Sequence, residues 1–539
     1  MPATRSSSSA RRRSTRALSP PASPGAASVP AAVLSPEETS SVSHAAAPAP
    51  APREQAHDSE GPTAFVVLTT YFAYAMLVLM GHIRDFLGRM AGSRYRVLNG
   101  VKGYAPLLQD WENFYTRRLY HRIQDCWNRP IKGPPFSATM EVIDRRPVPR
   151  TYQLEPTEKS GKFLNLGSYN YLGFADDWVE SCRGAVMKAV DQFSVSSCSS
   201  AVDIGLTSLQ TELEANVAGF LGKEAAIVYS MGYGTNAASI PALMGPGTLI
   251  LSDALNHASI VNGARHSGAT IRVFRHNNPA HLEQLLREAI VAGQPLTRRP
   301  WRKVLVVVEG VYSMEGEIAD LKPLVRVAKR YKAYVMVDEA HSIGALGKTG
   351  RGACEHCGVD TADVDVMMGT FTKSYGAMGG YIAGSKELID YLRQNSSGSV
   401  YGTAMSPVVV AQVLRAFEII DGRDGTDRGA RKLQAIKDNA NYFRSRLEDM
   451  GCELLGQQDS PVVPLMIYNP GKVAQFSREC FDRGLAVVVV GFPATSLIES
   501  RTRFCISAGH TREDLDKALK SIEEVVDLLK LRYGKRWFG

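Results

Sequence analysis

Six apolar runs alternate with stretches of helical periodicity between residues 225 and 368. They are Ala225–Val228, Leu249–Leu251, Ile271–Phe274, Val304–Val308, Tyr334–Val337 and Val364–Met368. Strands that alternate with helices call for right-handed crossovers and a mostly parallel sheet covered on both faces. That predicts an α/β protein whose ligands bind at the C-terminal ends of the strands. After about Ser406 the pattern changes. A long helical stretch from Pro407 to Met450 is followed by short strands at Val462–Ile467, Ala486–Val490 and Arg501–Ala508, then an amphipathic helix over Glu513–Leu531. This reads as a smaller α+β domain joined to the sheet domain, and no internal repeat is visible.

The sequence ahead of the sheet divides into three parts. Residues 1–60 are dominated by Ser, Ala and Pro, with too little apolar side chain to offset the entropy of ordering. The first 36 residues hold five Arg and no acid, a composition that also fits an organelle transit peptide. From Gly61 to Ile83 no Asp, Glu, Lys or Arg occurs, in GPTAFVVLTTYFAYAMLVLMGHI. About 20 helical residues cross a hydrocarbon core, so a membrane anchor over 61–90 is expected. Its Tyr, Thr and His interruptions leave a full span and a helix lying in the interface both open. Arg84, Arg89, Arg94, Arg96 and Lys102 follow the segment, while Glu54, Asp58 and Glu60 precede it. If the segment spans, the C-terminal bulk faces the cytosol. Residues 104–130 then carry apolar side chains at helical spacing (Leu108, Trp111, Phe114, Tyr115, Leu119, Ile123, Trp127), which predicts an amphipathic helix within an arm over 91–162.

A net charge of +8, from 62 basic and 54 acidic residues over 539, is mild and gives no reason to expect nucleic acid. Eight scattered cysteines suit reduced thiols, and Cys354–Cys357 lacks the second ligand pair that a zinc knuckle needs.

The residues that carry chemistry all follow apolar strands. Asp338 ends YVMV, where a carboxylate can pair with a pyridinium nitrogen, and His341 lies three positions on. His257 follows TLIL and can stack on a ring face. Ser230–Asn236, SMGYGTN, includes Gly232, Tyr233 and Gly234 at a predicted helix start, where exposed N–H groups cradle a phosphate. Lys373, in GTFTKSYGAMGG, stands beside Thr370 and Thr372 with little bulk around it, as a Schiff-base lysine requires. Each element alone is weak. The ordered set of glycine cradle, His, Asp-x-x-His and Thr-x-Thr-Lys points to an enzyme that carries pyridoxal 5'-phosphate (PLP) on Lys373.

On these motifs the chain from Phe163 onward resembles the α-oxoamine synthase family of fold-type I, aminotransferase-like PLP transferases. The resemblance rests further on LGSYNYLGF (166–174), LSDALNHASIVNGAR (251–265), VEGVYSMEG (308–316), VDEAHSIGALGKTGRG (337–352), SPVVPLMIY (460–468) and VVVVGFPAT (487–495). WENFYTRRLYHRIQDCWNRPI and the apolar N-terminal stretch resemble the eukaryotic, membrane-attached members in particular. The resemblance implies a large PLP-binding domain over 163–405 and a small domain over 406–539. It implies decarboxylative condensation of L-serine with palmitoyl-CoA to 3-oxosphinganine at the endoplasmic reticulum membrane. In that reaction Lys373, Asp338, His257 and His341 are catalytic, and Arg503 and Asn170 bind the amino acid. It also implies a homologous partner subunit that lacks the lysine, small activating subunits and Orm-type regulators. Other members condense glycine with succinyl-CoA or make 8-amino-7-oxononanoate; a non-catalytic membrane-anchored subunit is the remaining alternative.

The chain departs from the family pattern between Phe193 and Glu214. Ser194 and Ser196 replace glycines, Ala201 stands for an Arg and Gln210 for a His, while Ser496 later replaces a Pro. Because serine carries a Cβ that resists positive φ, a strained turn is expected at 194–196.

Overall fold

A 27-residue helix, α1 (Ala64–Met90), opens the part of the chain described by this computed structural model, which covers residues 62–90, 103–104, 114, 118–148, 153–492 and 494–534. The expected tail over 1–60 lies outside those residues, as do Leu108, Trp111 and Tyr115 of the expected arm helix. Within α1, Ala64–Leu87 is long and apolar enough to cross a membrane. One side is tucked against protein, with Thr70, Gly81 and Asp85 buried, and Phe65, Leu68, Phe72 and Phe86 stand exposed. Asp85 is held by Arg118, and His82 stacks on Phe114 with ring centroids 4.2 Å apart.

The helix expected to continue to residue 130 is absent from residue 120 onward. Two 3₁₀ turns, Tyr120–Arg122 and Gln124–Cys126, take its place. The cause is tertiary. Arg478 grips Asp125 at 2.7 Å and Trp127 Nε1 donates to the Val489 carbonyl at 3.0 Å, so the side chains are pegged to the C-terminal part. An antiparallel hairpin of β1 (Met140–Pro147) and β2 (Leu154–Asn165) follows, which the apolar pattern did not reveal. Next come α2 (Arg183–Phe193) and α3 (Ser208–Leu221).

The central sheet has seven strands: β3 (Ala225–Tyr229), β4 (Leu249–Asp253), β5 (Thr270–Phe274), β6 (Val304–Glu309), β7 (Tyr334–Asp338), β8 (Val366–Thr370) and β9 (Gly380–Gly384). Their order is β3-β9-β8-β7-β6-β4-β5. All pairs are parallel except the two made by β9, which returns antiparallel to β8 and β3. Helices α4 (Gly232–Leu243), α5 (Ala258–His266), α6 (Pro279–Ala292) and α7 (Leu321–Arg330) supply the crossovers. Alternation along the strands feeds two cores: Ala226 and Val228 join one face, Ile227 and Tyr229 the other. Each fully buried Val or Leu is worth about 2 kcal/mol, which is why these strands read as continuous apolar runs. At Gly369 a Cβ would lie 2.2 Å from Tyr381 Oη on the neighbouring strand, so only glycine fits just before Thr370.

Beyond the sheet, the long helix expected over 407–450 is two helices, α8 (Pro407–Ile420) and α9 (Arg428–Asp449). Gly422 and Gly425, at φ +70° and +77°, turn the chain between them. A second sheet of β10 (Val462–Tyr468), β12 (Val488–Val490) and β13 (Ser500–Cys505) is antiparallel. Helices α10 (Pro470–Asp482) and α11 (Arg512–Leu529) belong to the same region, α11 opening with a Thr511–Asp514 capping box. The two-residue strand β11 (Leu485–Ala486) instead pairs with the end of β2, which brings β2 to the C-terminal part.

The 194–206 segment carries the strain its sequence implied. Ser194 sits at φ +60°, ψ −165°, a region populated almost only by glycine, and Cys198 has φ +56°. A π-helical turn follows at Ala201–Gly205, and Gln210 is buried, its Oε1 accepting the Met405 N–H at 3.3 Å. Replacing Ser194 by Gly should relieve the backbone and stabilise the protein by about 1 kcal/mol, read as a higher urea midpoint. An unchanged or lower midpoint would show that the turn is not strained.

Candidate active site

The sheet brings the strand-end residues together. Register pairs Glu309 of β6 with Asp338 of β7, and Asp338 in turn with Met368 of β8, two residues before Thr370. The Asp338 carboxylate accepts from Asn236 Nδ2 at 2.7 Å and from the Ala340 N–H at 2.9 Å. Asn236, on the first turns of α4, also donates to Ser259 Oγ at 3.0 Å. Ser259 Oγ lies 2.8 Å from His257 Nδ1, which also accepts the Ser259 N–H and so caps α5. A continuous chain of contacts therefore joins Asp338 to His257.

His257 is a neutral imidazole at physiological pH. Burial and the nearby Lys373 charge press its pKa down, and Asp338 only partly offsets them. His341 is buried and hydrogen-bonds Tyr171 Oη at 2.8 Å. Burial, reinforced by the charges of Lys373 and Arg503, holds it well below the ordinary histidine range. Both rings are thus hydrogen-bonding partners and stacking surfaces in place of cations.

Lys373 follows β8, with its ammonium 5.7 Å from the centroid of the Tyr169 ring. Burial lowers its pKa from 10.5 to about 8, although the Asp338 carboxylate pulls the other way. A lysine amine available as a free base near neutrality is what a carbonyl-binding residue needs. The Arg503 guanidinium lies 4.8 Å from the same centroid. Arg503 is 5% exposed, its Nη1 touches Met314 Sδ at 3.6 Å, and its Nε has no hydrogen-bond partner. A buried guanidinium held this way suits an anionic ligand.

The glycines expected to cradle a phosphate open α4. Met231, the residue before α4, offers no side-chain cap, which leaves the N–H groups of Gly232, Tyr233 and Gly234 at the positive end of a 12-residue helix. A Cβ on Gly232 would lie 2.6 Å from Thr370 Oγ1, so glycine is what lets the helix start approach Thr370. Thr370 Oγ1 donates to the Gly379 carbonyl at 2.8 Å and lies 2.8 Å from Thr372 Oγ1; Thr372 itself is exposed.

Asn170 is used differently from the rest. Its Nδ2 donates to Asp176 at 2.8 Å and its Oδ1 accepts from Ala175, so its amide ties the 170–176 loop together. Four participants were not singled out from sequence: Asn236, Ser259, Tyr169 and Glu309. Glu309 is fully buried and accepts the His257 N–H. Burial and the adjacent Asp338 raise its pKa far above the carboxylate range, so it is a neutral acid. Its position at a strand end in VEGVYSMEG is the same signal that picked out Asp338.

These residues fit PLP. The uncapped helix start and Thr370 suit a phosphate, Asp338 suits a protonated ring nitrogen, and Lys373 suits an aldehyde. Asn236 Oδ1 is buried with no hydrogen-bond partner, an acceptor left over inside the same pocket. For apo-protein mixed with PLP, the rate at which Lys373 forms its adduct should rise with pH around a midpoint of about 8. The growth of the cofactor's visible absorbance measures it. A midpoint at or above 10 would contradict the desolvated lysine.

Comparison with known proteins agrees with this geometry. The family model for class I and II aminotransferases matches residues 161–522. Long chain base biosynthesis protein 2a of Arabidopsis thaliana is 55% identical over 466 residues, covering 86% of this chain and 94% of its own. Serine palmitoyltransferase 2 of Dictyostelium discoideum is 50% identical over 470 residues, covering 87% and 95%. A solved structure of SPT with the PLP internal aldimine superposes with a TM-score of 0.67 at 28% identity, covering 76% of this chain and 95% of that one. The chain therefore belongs to the class I and II aminotransferase family of PLP enzymes, among the long chain base biosynthesis 2 and serine palmitoyltransferase 2 proteins.

Proposed function

We propose that this chain is the catalytic subunit of a serine palmitoyltransferase, condensing L-serine with palmitoyl-CoA to give 3-oxosphinganine, CoA and CO₂, the first step of sphingolipid synthesis. The observation that carries the reading is the convergence of Lys373, Asp338 and His257, with a buried Arg503 near the same tyrosine ring as Lys373. PLP, when bound, supplies an electron-withdrawing ring that stabilises negative charge on the amino acid's α-carbon.

Gly232, Tyr233, Gly234, Thr370 and Thr372 would hold its phosphate. Asp338, oriented by Asn236, would keep the ring nitrogen protonated, and neutral His257 would cover one ring face. His341, locked by Tyr171, stands beside them as a hydrogen-bond partner. Arg503 receives the serine carboxylate as a bidentate pair, which orients the α-carbon. Lys373 Nζ, uncharged in about half of the molecules near pH 8, removes the α-proton. The α-carbon then forms its bond to the thioester carbon as the carbon–sulfur bond breaks and CoA leaves as its thiolate. The carboxylate is lost as CO₂, and the Lys373 ammonium returns its proton to the α-carbon to give the amino-ketone. The neutral Glu309 holds the His257 backbone without adding charge beside Asp338.

The reading extends to the surroundings. α1 would attach the chain to the endoplasmic reticulum membrane with the catalytic part in the cytosol, in line with the five basic residues between Arg84 and Lys102, in its last turns and just beyond its end. A homologous subunit without the lysine would cover the apolar 194–206 segment, where Val195, Val202, Ile204 and Leu206 are exposed. Small activating subunits and Orm-type regulators belong to the same proposal.

The test is serine-dependent CoA release by the chain co-expressed with such a subunit. Lys373→Ala should remove turnover, by roughly three orders of magnitude or more. Arg503→Ala should lower kcat/KM for serine by about 30-fold, equivalent to about 2 kcal/mol, with KM for palmitoyl-CoA little changed. Activity with glycine and succinyl-CoA but none with serine would assign the chain to another α-oxoamine synthase. Unimpaired complex activity after Lys373→Ala would make it a non-catalytic subunit.

A further inference from the structure

Arg503 stands on β13 and His257 follows β4, in different sheets, yet both must address one amino acid and one ring. The molecule contains a link between them that the reaction itself does not use. His276, two residues past β5, places Nδ1 2.8 Å from Asp253 Oδ1 and Nε2 2.8 Å from Glu317 Oε2. Asp253 is buried and its carboxylate also accepts the Leu255 and Asn277 N–H groups, both at 2.9 Å, so it shapes the turn that ends in His257. Glu317 lies in a hairpin closed by the Val311–Ile318 bridge and by the Tyr312 N–H to Glu317 carbonyl bond of 2.9 Å.

That hairpin reaches the C-terminal part. The Met314 carbonyl accepts Arg501 Nη1 at 3.1 Å, Met314 Sδ meets Arg503, and the Ile318 N–H donates to Gln457. At Gly316 a Cβ would stand 2.5 Å from the Val462 carbonyl of β10, so hairpin and strand touch directly. Tyr312 closes the circuit: its ring packs edge-on to His276 at 4.4 Å, and its hydroxyl accepts the Glu309 N–H, next to the acid that holds His257.

We propose that His276 is a positioning residue, a cationic clamp that ties the His257 turn to the hairpin backing Arg503 and so sets the spacing between ring face and carboxylate site. The chemistry requires the cation. A neutral imidazole donates one N–H only, and its other nitrogen would point a lone pair at a carboxylate. The charged form satisfies both acids, and although burial opposes it, the bonds to Asp253 and Glu317 raise the His276 pKa to about 10. Charge-assisted bonds of this kind are about twice as strong as neutral ones, and cutting one frees a loop without emptying a core.

The proposal rests on the reading of Arg503 as the serine-carboxylate site, and two readouts separate the two. Glu317→Gln removes the charge at nearly constant volume, and His276→Gln removes the ring. In the intact complex, hydrogen exchange should lose about tenfold in protection both at 253–258 and at 311–318 in either variant, with the rest of the sheet unchanged. Exchange that rises in one segment alone, or in neither, would overturn the clamp whatever the enzyme's substrate. KM for serine should rise about tenfold while KM for palmitoyl-CoA and the absorbance of bound PLP stay put. Equal rises in both KM values would show that His276 supports the fold in general and does not position Arg503. Coupled loosening of both segments with no change for serine would keep the clamp and overturn the role given to Arg503.

Discussion

A lysine whose charge is costly to bury, set beside an aspartate at the end of the same sheet, is the constraint on which the rest depends. Burial drives Lys373 toward its neutral form, and the Asp338 carboxylate limits how far that goes. The balance is possible because parallel strands all present their C-terminal ends on one edge, where residues distant in sequence become neighbours. Glu309 and Asp338 are paired by register alone, and one of two adjacent buried acids is kept neutral. The glycines follow from the same crowding. Gly369 makes room for Tyr381, and Gly232 lets an uncapped helix start come close to Thr370.

Around that edge the polar groups form a connected set in which Asn236 and Ser259 carry the orientation of Asp338 through to His257. Tyr169 is the ring that both cations share, Lys373 at 5.7 Å and Arg503 at 4.8 Å from its centroid. His276 performs the equivalent service one layer out, where the carboxylates of Asp253, at the end of β4, and Glu317, in the 311–318 hairpin, meet on one ring.

Much of this was legible in the sequence because it follows from period and position. Apolar runs named six strands of the central sheet, and the residue types that follow them named Lys373, Asp338, His257, His341 and the glycine cradle. What escaped was set by tertiary contact. β9 is short, glycine-bounded and antiparallel, so no crossover announces it. From residue 120 onward the expected helical periodicity yielded to pegs on Asp125 and Trp127, which no local rule reports. The break between α8 and α9 could have been read from the two glycines and three acids of DGRDGTD. At Asn170, a motif residue expected to contact substrate, the structure adds a role in holding its own loop, which the sequence did not announce. At Ser194 the inference from a Cβ to a strained turn survived, because positive φ is a local property.

The central claim, that Lys373 is the residue that holds the cofactor, is open to one direct measurement. Protein loaded with PLP is reduced with borohydride, digested, and mapped by mass spectrometry. A single pyridoxyl-modified peptide containing Lys373, and no modification at the same stoichiometry elsewhere, is the predicted result. A stoichiometric label on any other lysine, or none on the peptide that contains Lys373, would contradict the account.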